Sequence, residues 1–147
     1  MPVGKEIPED PAYASTSFNE LDHGSIIVVV ATDAPLVAHQ PKRLARRVSL
    51  GLGRNGSISG NGSGDIFIAF STANSGAAAA DRLVDLKMLP NDQIEPVFAA
   101  TVQATEEAVI NAMVAAETLN GIENHKVIAL PHDKLRTVLK KYNRVAP

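Results

Sequence analysis

The fold is constrained most by a short apolar run, Ile26 to Ala31, which follows directly after a Gly24-Ser25 pair. The run is apolar at every position and rich in β-branched residues, which is typical of a strand covered on both faces. A second run of the same kind, "IFIAFS", occupies residues 66 to 71. The sequence therefore predicts two buried strands, which other parts of the protein must cover.

An amphipathic segment separates these two runs. Pro41 suits the first turn of a helix. Leu44, Val48 and Leu52 then recur at four-residue spacing, which predicts a helix with one apolar face. Strands that alternate with helices indicate an α/β fold, in which the helices cover apolar faces of the sheet.

Further elements are predicted in the second half of the chain. A longer helix is expected from about Glu95 to Leu119, with Asn120-Gly121 as its stop signal. The segment "KVIAL", residues 126 to 130, predicts a third strand, and "HDKLRTVLKKYN", residues 132 to 143, predicts a short terminal helix. Residues 1 to 24 hold three prolines and show no regular period, so we expect an extended arm or linker there.

Composition and length exclude several kinds of function. The chain has 147 residues, for which one domain is the default, and it has no cysteine, which removes disulfides, thiolate zinc sites and cysteine nucleophiles. No run approaches the roughly 18 apolar residues of a membrane span, and the N-terminus lacks a secretion signal. We therefore expect a cytoplasmic protein with no membrane partner. The four histidines show no metal-ligand spacing, and we predict no metal and no other cofactor.

Two motifs suggest nucleic acid or nucleotide binding, and both have a simpler interpretation. "KRLARR", residues 42 to 47, lies on an amphipathic helix of a chain with net charge −2, which favours a solvated face or a subunit contact over nucleic acid. "GLGRNG", residues 51 to 56, has the G-x-G-x-x-G spacing of dinucleotide sites but follows a helix instead of a strand. We favour a helix cap leading into a glycine-rich loop, residues 51 to 65, and keep a nucleotide-binding domain as an alternative.

The Gly24-Ser25 pair is either a loop before a strand or a site of covalent chemistry. A serine hydroxyl needs an adjacent base, and a serine at a chain terminus can use its own α-amine, whose pKa of about 7.7–8.0 lies near neutral pH. The terminus would arise if the Ser25 hydroxyl attacked the Gly24 carbonyl and water then hydrolysed the resulting ester.

A second polar cluster accompanies this pair. Ser63 and Asp65 lie two residues apart at the mouth of the second strand, so in an extended segment they point to the same side. If both strands end at one place, this hydroxyl and carboxylate would orient Ser25. Ser and Asp are also favoured loop residues that hydrogen-bond to the backbone, so a purely structural role stays open.

Six segments together carry a resemblance to a known family: "GSIIVVVATDAP", "PKRLARR", "SGNGSGDIFIAFSTAN", "MLPND", "ATVQATEEAVINAMVAAET" and "ALPHDKLRTVLKKY". In this order they resemble the self-processing L-aminopeptidase D-amidase/D-esterase family, which includes the β-peptidyl aminopeptidases. Residues 24 to 142 are similar to the family's β-subunit, which implies a β-subunit-like catalytic domain over residues 25 to 147, and residues 1 to 24 are similar to the tail of its α-subunit. The resemblance implies part of an αββα sandwich similar to that of the N-terminal-nucleophile hydrolases.

The resemblance also implies roles for particular residues. Ser25 corresponds to the nucleophile released by autocleavage after Gly24, and Ser63 and Asp65 correspond to residues that assist it. Members of the family release N-terminal residues from small peptides, amides and esters without a metal, and they form oligomers. Their long α-portion supplies oxyanion-hole groups and the amine pocket, whereas 24 residues precede Ser25 here.

The short segment before Ser25 leads to an expectation about partners. An apolar face of the sheet should lack its cover, and we expect either a missing α-portion or a homo-oligomer partner to bind there. The competing hypothesis is a non-catalytic interaction module of the same fold, in which the bond between Gly24 and Ser25 is never cut.

Overall fold

The computed structural model describes residues 24–124 and 126–145, so the arm predicted before Gly24 lies outside the described residues. The chain forms two compact units. In the described residues, the first unit comprises 24–109 and the second comprises 110–124 and 126–145. Strands alternate with helices along the chain, as the α/β prediction requires.

The first unit is built on a strand, a helix and a second strand. Strand β1 spans Ile27–Thr32, helix α1 spans His39–Arg54 and strand β2 spans Ile66–Ser71. The strands pair in parallel, with Ile27 opposite Ile66. Because parallel strands begin at the same edge of a sheet, the residues just before β1 lie beside those just before β2.

The core of this unit lies between the sheet and its helices. Helix α1 buries Leu44, Val48 and Leu52, which confirms the predicted apolar face. Helix α2 spans Glu95–Ala115 and follows a short 3-10 turn at Asn91–Gln93. The central cluster consists of Leu36, Leu44 and Ile94, with Val30, Ala34, Ala69, Leu89, Val97 and Phe98 packed around it.

The strands were predicted to be buried on both faces, and this prediction is wrong for one face. Side chains alternate strictly between half-buried and exposed along both strands. The covered face is formed by Val28, Val30, Phe67 and Ala69, and the open face is formed by Ile27, Val29, Ile66, Ile68 and Phe70. On the open face, Ile27 is 68% exposed and Phe70 is 45% exposed. The sheet therefore has one covered and one open face in the described residues.

The glycine-rich segment begins later than predicted, because α1 continues through Gly51 and Gly53 to Arg54. The reason is a close contact between helices. A Cβ atom at Gly51 would lie 2.6 Å from Thr105 Cβ and 2.7 Å from the Val102 carbonyl oxygen, both on α2. Gly51 lacks a side chain and so lets α2 approach α1 closely. A glycine inside a helix lowers stability by roughly 0.5–1 kcal/mol relative to alanine.

The basic side chains of "KRLARR" contribute to packing within the first unit. The Arg47 guanidinium lies 3.4 Å from the centroid of the Phe98 ring, and the Arg43 guanidinium lies 4.9 Å from it. Arg43 also donates to Asn91 Oδ1 at 2.7 Å. Two of the four basic residues are therefore held by contacts within this unit, whereas the sequence predicted a solvated face or a subunit contact for them.

The second unit holds the end of α2 and three short elements. Strand β3, Leu119–Asn120, pairs antiparallel with strand β4, Lys126–Val127, and helix α3 spans His132–Lys141. The strand predicted over residues 126 to 130 corresponds to β4, which is only two residues long, as is its partner β3. Helix α2 ends at Ala115, before the predicted Leu119, which lies in β3. Within the described residues, no helix is both long and apolar enough to cross a membrane.

Candidate active site

The parallel pairing of β1 and β2 places two short segments side by side at the edge where the strands begin. Residues 24–26 directly precede β1, and residues 63–65 precede β2. The Ile66 amide donates to the Ile26 carbonyl oxygen at 2.9 Å, which continues the ladder one residue beyond β1. Ser25, Ser63 and Asp65, the three residues selected from the sequence, are thereby brought together.

The Ser25 hydroxyl is contacted by a backbone group. Its Oγ accepts a hydrogen bond from the Gly64 amide at 2.9 Å. Ser25 is exposed, so its hydroxyl is accessible from outside the unit. The nucleophile proposed from the sequence therefore lies at the surface, with its oxygen held by a fixed donor.

Ser63 and Asp65 interact with each other and with the backbone next to Ser25. The Ser63 hydroxyl donates to Asp65 Oδ1 at 2.5 Å, and the Ile26 amide donates to the same oxygen at 3.1 Å. Both side chains are half-buried. The sequence predicted that the side chains of Ser63 and Asp65 would orient Ser25. In the structure, Asp65 binds the amide of the next residue, Ile26. The contact to the Ser25 hydroxyl comes from the backbone of Gly64, which lies between Ser63 and Asp65 in the chain.

A cleft of about 270 Å³ adjoins the Ser25 hydroxyl. Its lining includes Gly24, Ser25, Ile26, Ser63 and Asp65 from the strand edge, and Leu52, Asn55, Ser57 and Val109 from the helices and the loop after α1. The cleft thus has an apolar wall beside polar side chains, as binding sites for small molecules commonly do. The position of Gly24 in this lining places the bond before Ser25 in the cleft.

The loop after α1 was predicted as a helix cap and glycine-rich loop, with nucleotide binding as the alternative, and its place beside Ser25 was missed. Gly56 has φ of 101° and Ser59 has φ of 48°, so two residues of this turn adopt the left-handed conformation. The Ser59 amide donates to Ser57 Oγ at 3.1 Å. The Asn55 side-chain nitrogen lies 3.4 Å from both the Gly51 and the Glu106 carbonyl oxygens. No sequence signal connects these polar residues with Ser25, because the connection depends on how α1 crosses the sheet.

The glycines of the nucleotide-binding alternative do not occupy the positions that a dinucleotide site requires. In a dinucleotide site the glycines follow a strand and open a helix. Here Gly51 and Gly53 lie inside the last turn of α1, and Gly56 lies in the turn that follows. Across residues 24–124 and 126–145, three or more His, Asp or Glu side chains are nowhere clustered in a way that would hold a metal ion.

A serine held at the start of a strand, directly after glycine and beside a cleft, is the arrangement expected of a serine N-terminal-nucleophile hydrolase. Comparisons with known proteins agree with this class. The chain matches peptidase family S58 over residues 1–127 and belongs to that family. The resemblance inferred from the sequence is thereby confirmed.

The relatives of this chain are much longer proteins. Beta-peptidyl aminopeptidase BapA of Sphingosinicella microcystinivorans is 47% identical over 149 residues, which cover 98% of this chain and 38% of that protein. The chain thus spans little more than a third of the length of this relative. Solved structures of two similar proteins show the same proportion.

The first of these structures is the L-aminopeptidase D-Ala-esterase/amidase of Ochrobactrum anthropi, with a TM-score of 0.73, 51% identity and coverage of 83% of this chain and 35% of that chain. It is described as a prototype for the serine aminopeptidases and as a new variant of the Ntn hydrolase fold. The second is a Burkholderia sp. beta-aminopeptidase, with a TM-score of 0.72, 39% identity and coverage of 85% and 36%. These similarities confirm the predicted α/β fold class.

Proposed function

We propose that this chain carries the nucleophile of a serine aminopeptidase that releases N-terminal residues from small peptides, amides or esters. The observation that carries the proposal is the Ser25 hydroxyl, which lies beside a cleft that also holds Gly24, with its oxygen bound by the Gly64 amide at 2.9 Å. The similarity to aminopeptidases of family S58 supports the reaction type.

The first reaction is cleavage of the chain itself. Ser25 Oγ attacks the Gly24 carbonyl carbon, the C–N bond between the residues breaks, and the proton from the hydroxyl passes to the new amine. The Gly24 acyl group is then esterified to Ser25. Water hydrolyses this ester, which leaves a carboxylate on Gly24 and a free amine and hydroxyl on Ser25.

The same atoms then act on substrate. The free α-amine of Ser25 accepts the hydroxyl proton while Oγ attacks the substrate carbonyl, since the pKa of a chain-terminal amine is ordinarily about 7.7–8.0. The bond to the leaving amine breaks as that amine takes up the proton, and an acyl-enzyme forms. Water then breaks the C–Oγ bond, which releases the N-terminal residue as its acid and restores the hydroxyl.

Ser63 and Asp65 act as positioning residues in this proposal. Asp65 Oδ1 accepts from the Ile26 amide at 3.1 Å, so it fixes the residue that follows the nucleophile. The Ser63 hydroxyl occupies the same carboxylate oxygen. Together they hold the Ser25 backbone against the start of β2, which keeps Oγ at the edge of the cleft.

The open face of the sheet is the surface on which we propose that a partner rests. Its side chains, Ile27, Val29, Ile66, Ile68 and Phe70, form a contiguous apolar surface next to the site. Since relatives such as the 47% identical enzyme are more than twice as long, we propose that a further α-portion covers this face and completes the site. A homo-oligomer in which copies cover each other is the alternative partner.

Intact mass under denaturing conditions tests the proposed chemistry. We expect the wild-type chain, or a chimera that carries the N-terminal portion of the 47% identical relative before it, to be cut after Gly24. Ser25→Ala should stay uncut in both forms and should not hydrolyse an aminoacyl amide. Cleavage or turnover by Ser25→Ala would contradict the role of Ser25. Failure of both wild-type forms to cut would contradict self-processing.

The open face also favours a second candidate, a non-catalytic module that associates through its apolar surface. It predicts that both wild-type forms stay uncut and that the protein still assembles with its partner. The mass experiment therefore separates the two candidates, because only the aminopeptidase requires the bond after Gly24 to break.

A further inference from the structure

The tripeptide Ser63-Gly64-Asp65 contributes three different interactions at the start of β2. Ser63 donates to Asp65, Asp65 accepts from Ile26, and the Gly64 amide donates to Ser25 Oγ. Of the three, the Gly64 interaction is the one made directly to the nucleophile oxygen. The reaction steps described under the proposed function do not involve the Gly64 amide.

We propose that the backbone amide of Gly64 is a catalytic group that stabilises negative charge on Ser25 Oγ, a role that rests on the proposed function. Charge develops on this oxygen when the hydroxyl proton leaves and Oγ attacks a carbonyl carbon. Charge develops there again when water has added to the acyl-enzyme and the C–Oγ bond breaks. The same donor therefore stabilises Ser25 Oγ both when this oxygen attacks and when it leaves.

The strength of this effect follows from the kind of hydrogen bond. A donor that binds the charged form of a group lowers the pKa of that group, and hydrogen bonds to ionised acceptors are roughly twice as strong as neutral ones. The Gly64 amide lies 2.9 Å from Oγ before reaction, within the range of a fully formed N–H···O bond. It gains strength as Oγ becomes negative without any rearrangement.

The amide is held in place from both sides. On one side, the Ser63 amide donates to the Gly60 carbonyl oxygen at 2.9 Å, and the Ser63 hydroxyl binds Asp65. On the other side, Asp65 is bound to the Ile26 amide. These contacts fix the peptide that carries the Gly64 N–H. Ser63 and Asp65 therefore position the Gly64 donor in addition to the backbone of Ile26.

The position of Gly64 accommodates an alanine side chain beside Ser25. A Cβ atom at Gly64 would lie 3.4 Å from Ser25 Oγ, which is ordinary van der Waals contact with the free hydroxyl. Gly64→Ala therefore keeps the donor and its position, whereas Gly64→Pro removes the N–H because proline lacks it. The two variants separate the effect of the donor from that of added bulk.

A single introduced thiol reports on the donor without any catalytic turnover. The chain has no cysteine, so Ser25→Cys creates the one thiol in the protein. The rate of alkylation by iodoacetamide as a function of pH gives the pKa of this thiol. We expect a value about one unit below the ordinary thiol pKa of about 8.5, because the Gly64 amide favours the thiolate.

Adding Gly64→Ala to Ser25→Cys should leave this pKa within about 0.3 units, and adding Gly64→Pro should return it to about 8.5. Equal pKa values in the Ala and Pro variants would overturn the proposal. If the circular dichroism spectrum shows that the Pro variant is misfolded, Ser63→Ala takes its place, because it removes a contact that holds the amide without changing the charge near residue 25. Weaker fixing of the amide should then raise the thiol pKa, and an unchanged pKa would overturn the proposal.

The thiol titration and the mass experiment fail independently. A lowered thiol pKa in a protein whose wild-type form is never cut would preserve the donor but remove the proposed self-processing. An ordinary thiol pKa in a protein that cuts itself would preserve the function and remove the role of Gly64. Where the wild type is cut, Gly64→Pro should slow cleavage at least tenfold relative to Gly64→Ala.

Discussion

The covered and open faces of the sheet have similar side chains and opposite surroundings. Val30 and Ala69 on the covered face pack against Leu44 and the rest of the central cluster. On the open face, Val29 keeps 58% of its surface exposed. Hydrophobic burial stabilises by roughly 25 cal/mol per Å², so cover of the open face by the partner that we propose would add stability. In that proposal, stability of this chain and assembly depend on different faces of one sheet.

The largest expected effect lies on the covered side. Leu44 is completely buried at the centre of the cluster, so Leu44→Ala should lower the free energy of unfolding by about 2–5 kcal/mol in urea titrations. Leu83 has the same side chain and is fully exposed, at 101%, so Leu83→Ala should change stability by less than about 0.5 kcal/mol. Similar losses in the two variants would mean that this cluster is not the core.

The next effect tests how the helices come together over the covered face. Gly51→Ala places a Cβ 2.6 Å from Thr105 Cβ and should cost about 1–3 kcal/mol, because α2 has to move. Gly53 lies two residues further along α1, and a Cβ there has no heavy atom within 4 Å. Gly53→Ala should therefore stabilise the helix by about 0.5–1 kcal/mol. The opposite signs, measured by thermal unfolding, are the result to check.

The sequence alone predicted what depends on local patterns. The periodicity of Leu44, Val48 and Leu52 defined the buried face of α1, and the spacing of Ser63 and Asp65 placed them together near Ser25. Features that depend on tertiary contacts were missed. Side-chain periodicity carries no sign of a backbone donor such as Gly64. Nor did it show that Gly51 stays in a helix because Thr105 lies against it.

The open face shows why strand burial was predicted incorrectly. An unbroken apolar run indicates that both faces are covered, but it does not say which chain covers them. In the described residues of the first unit, the central cluster packs against the covered face, whereas Ile27 and Val29 stay more than half exposed. The prediction is therefore wrong for the open face of this chain, and the partner that we propose would have to cover it.

A smaller effect is expected where α1 meets α2 at the surface. Arg47 stacks on Phe98 at 3.4 Å and donates to the Arg43 carbonyl oxygen at 2.8 Å. Arg47→Ala should cost about 0.5–1 kcal/mol, the usual value of a cation–π contact at a partly exposed site. Arg46→Ala, on the exposed side of the same helix, is the matched control and should be close to neutral. Equal costs would show that the stacking adds nothing.

The most direct comparison of the two faces makes the same substitution at adjacent residues, and the smallest single effect is expected on the open face. Val29→Thr on the open face should change the stability of this chain by less than about 0.5 kcal/mol. Val30→Thr on the covered face should cost about 1–3 kcal/mol, because it buries a hydroxyl among apolar side chains. In the chimera that supplies an α-portion, the cost of Val29→Thr should rise toward that of Val30→Thr, since both faces are then covered. If Val29→Thr stays neutral in a chimera that assembles and cuts itself, the partner binds elsewhere.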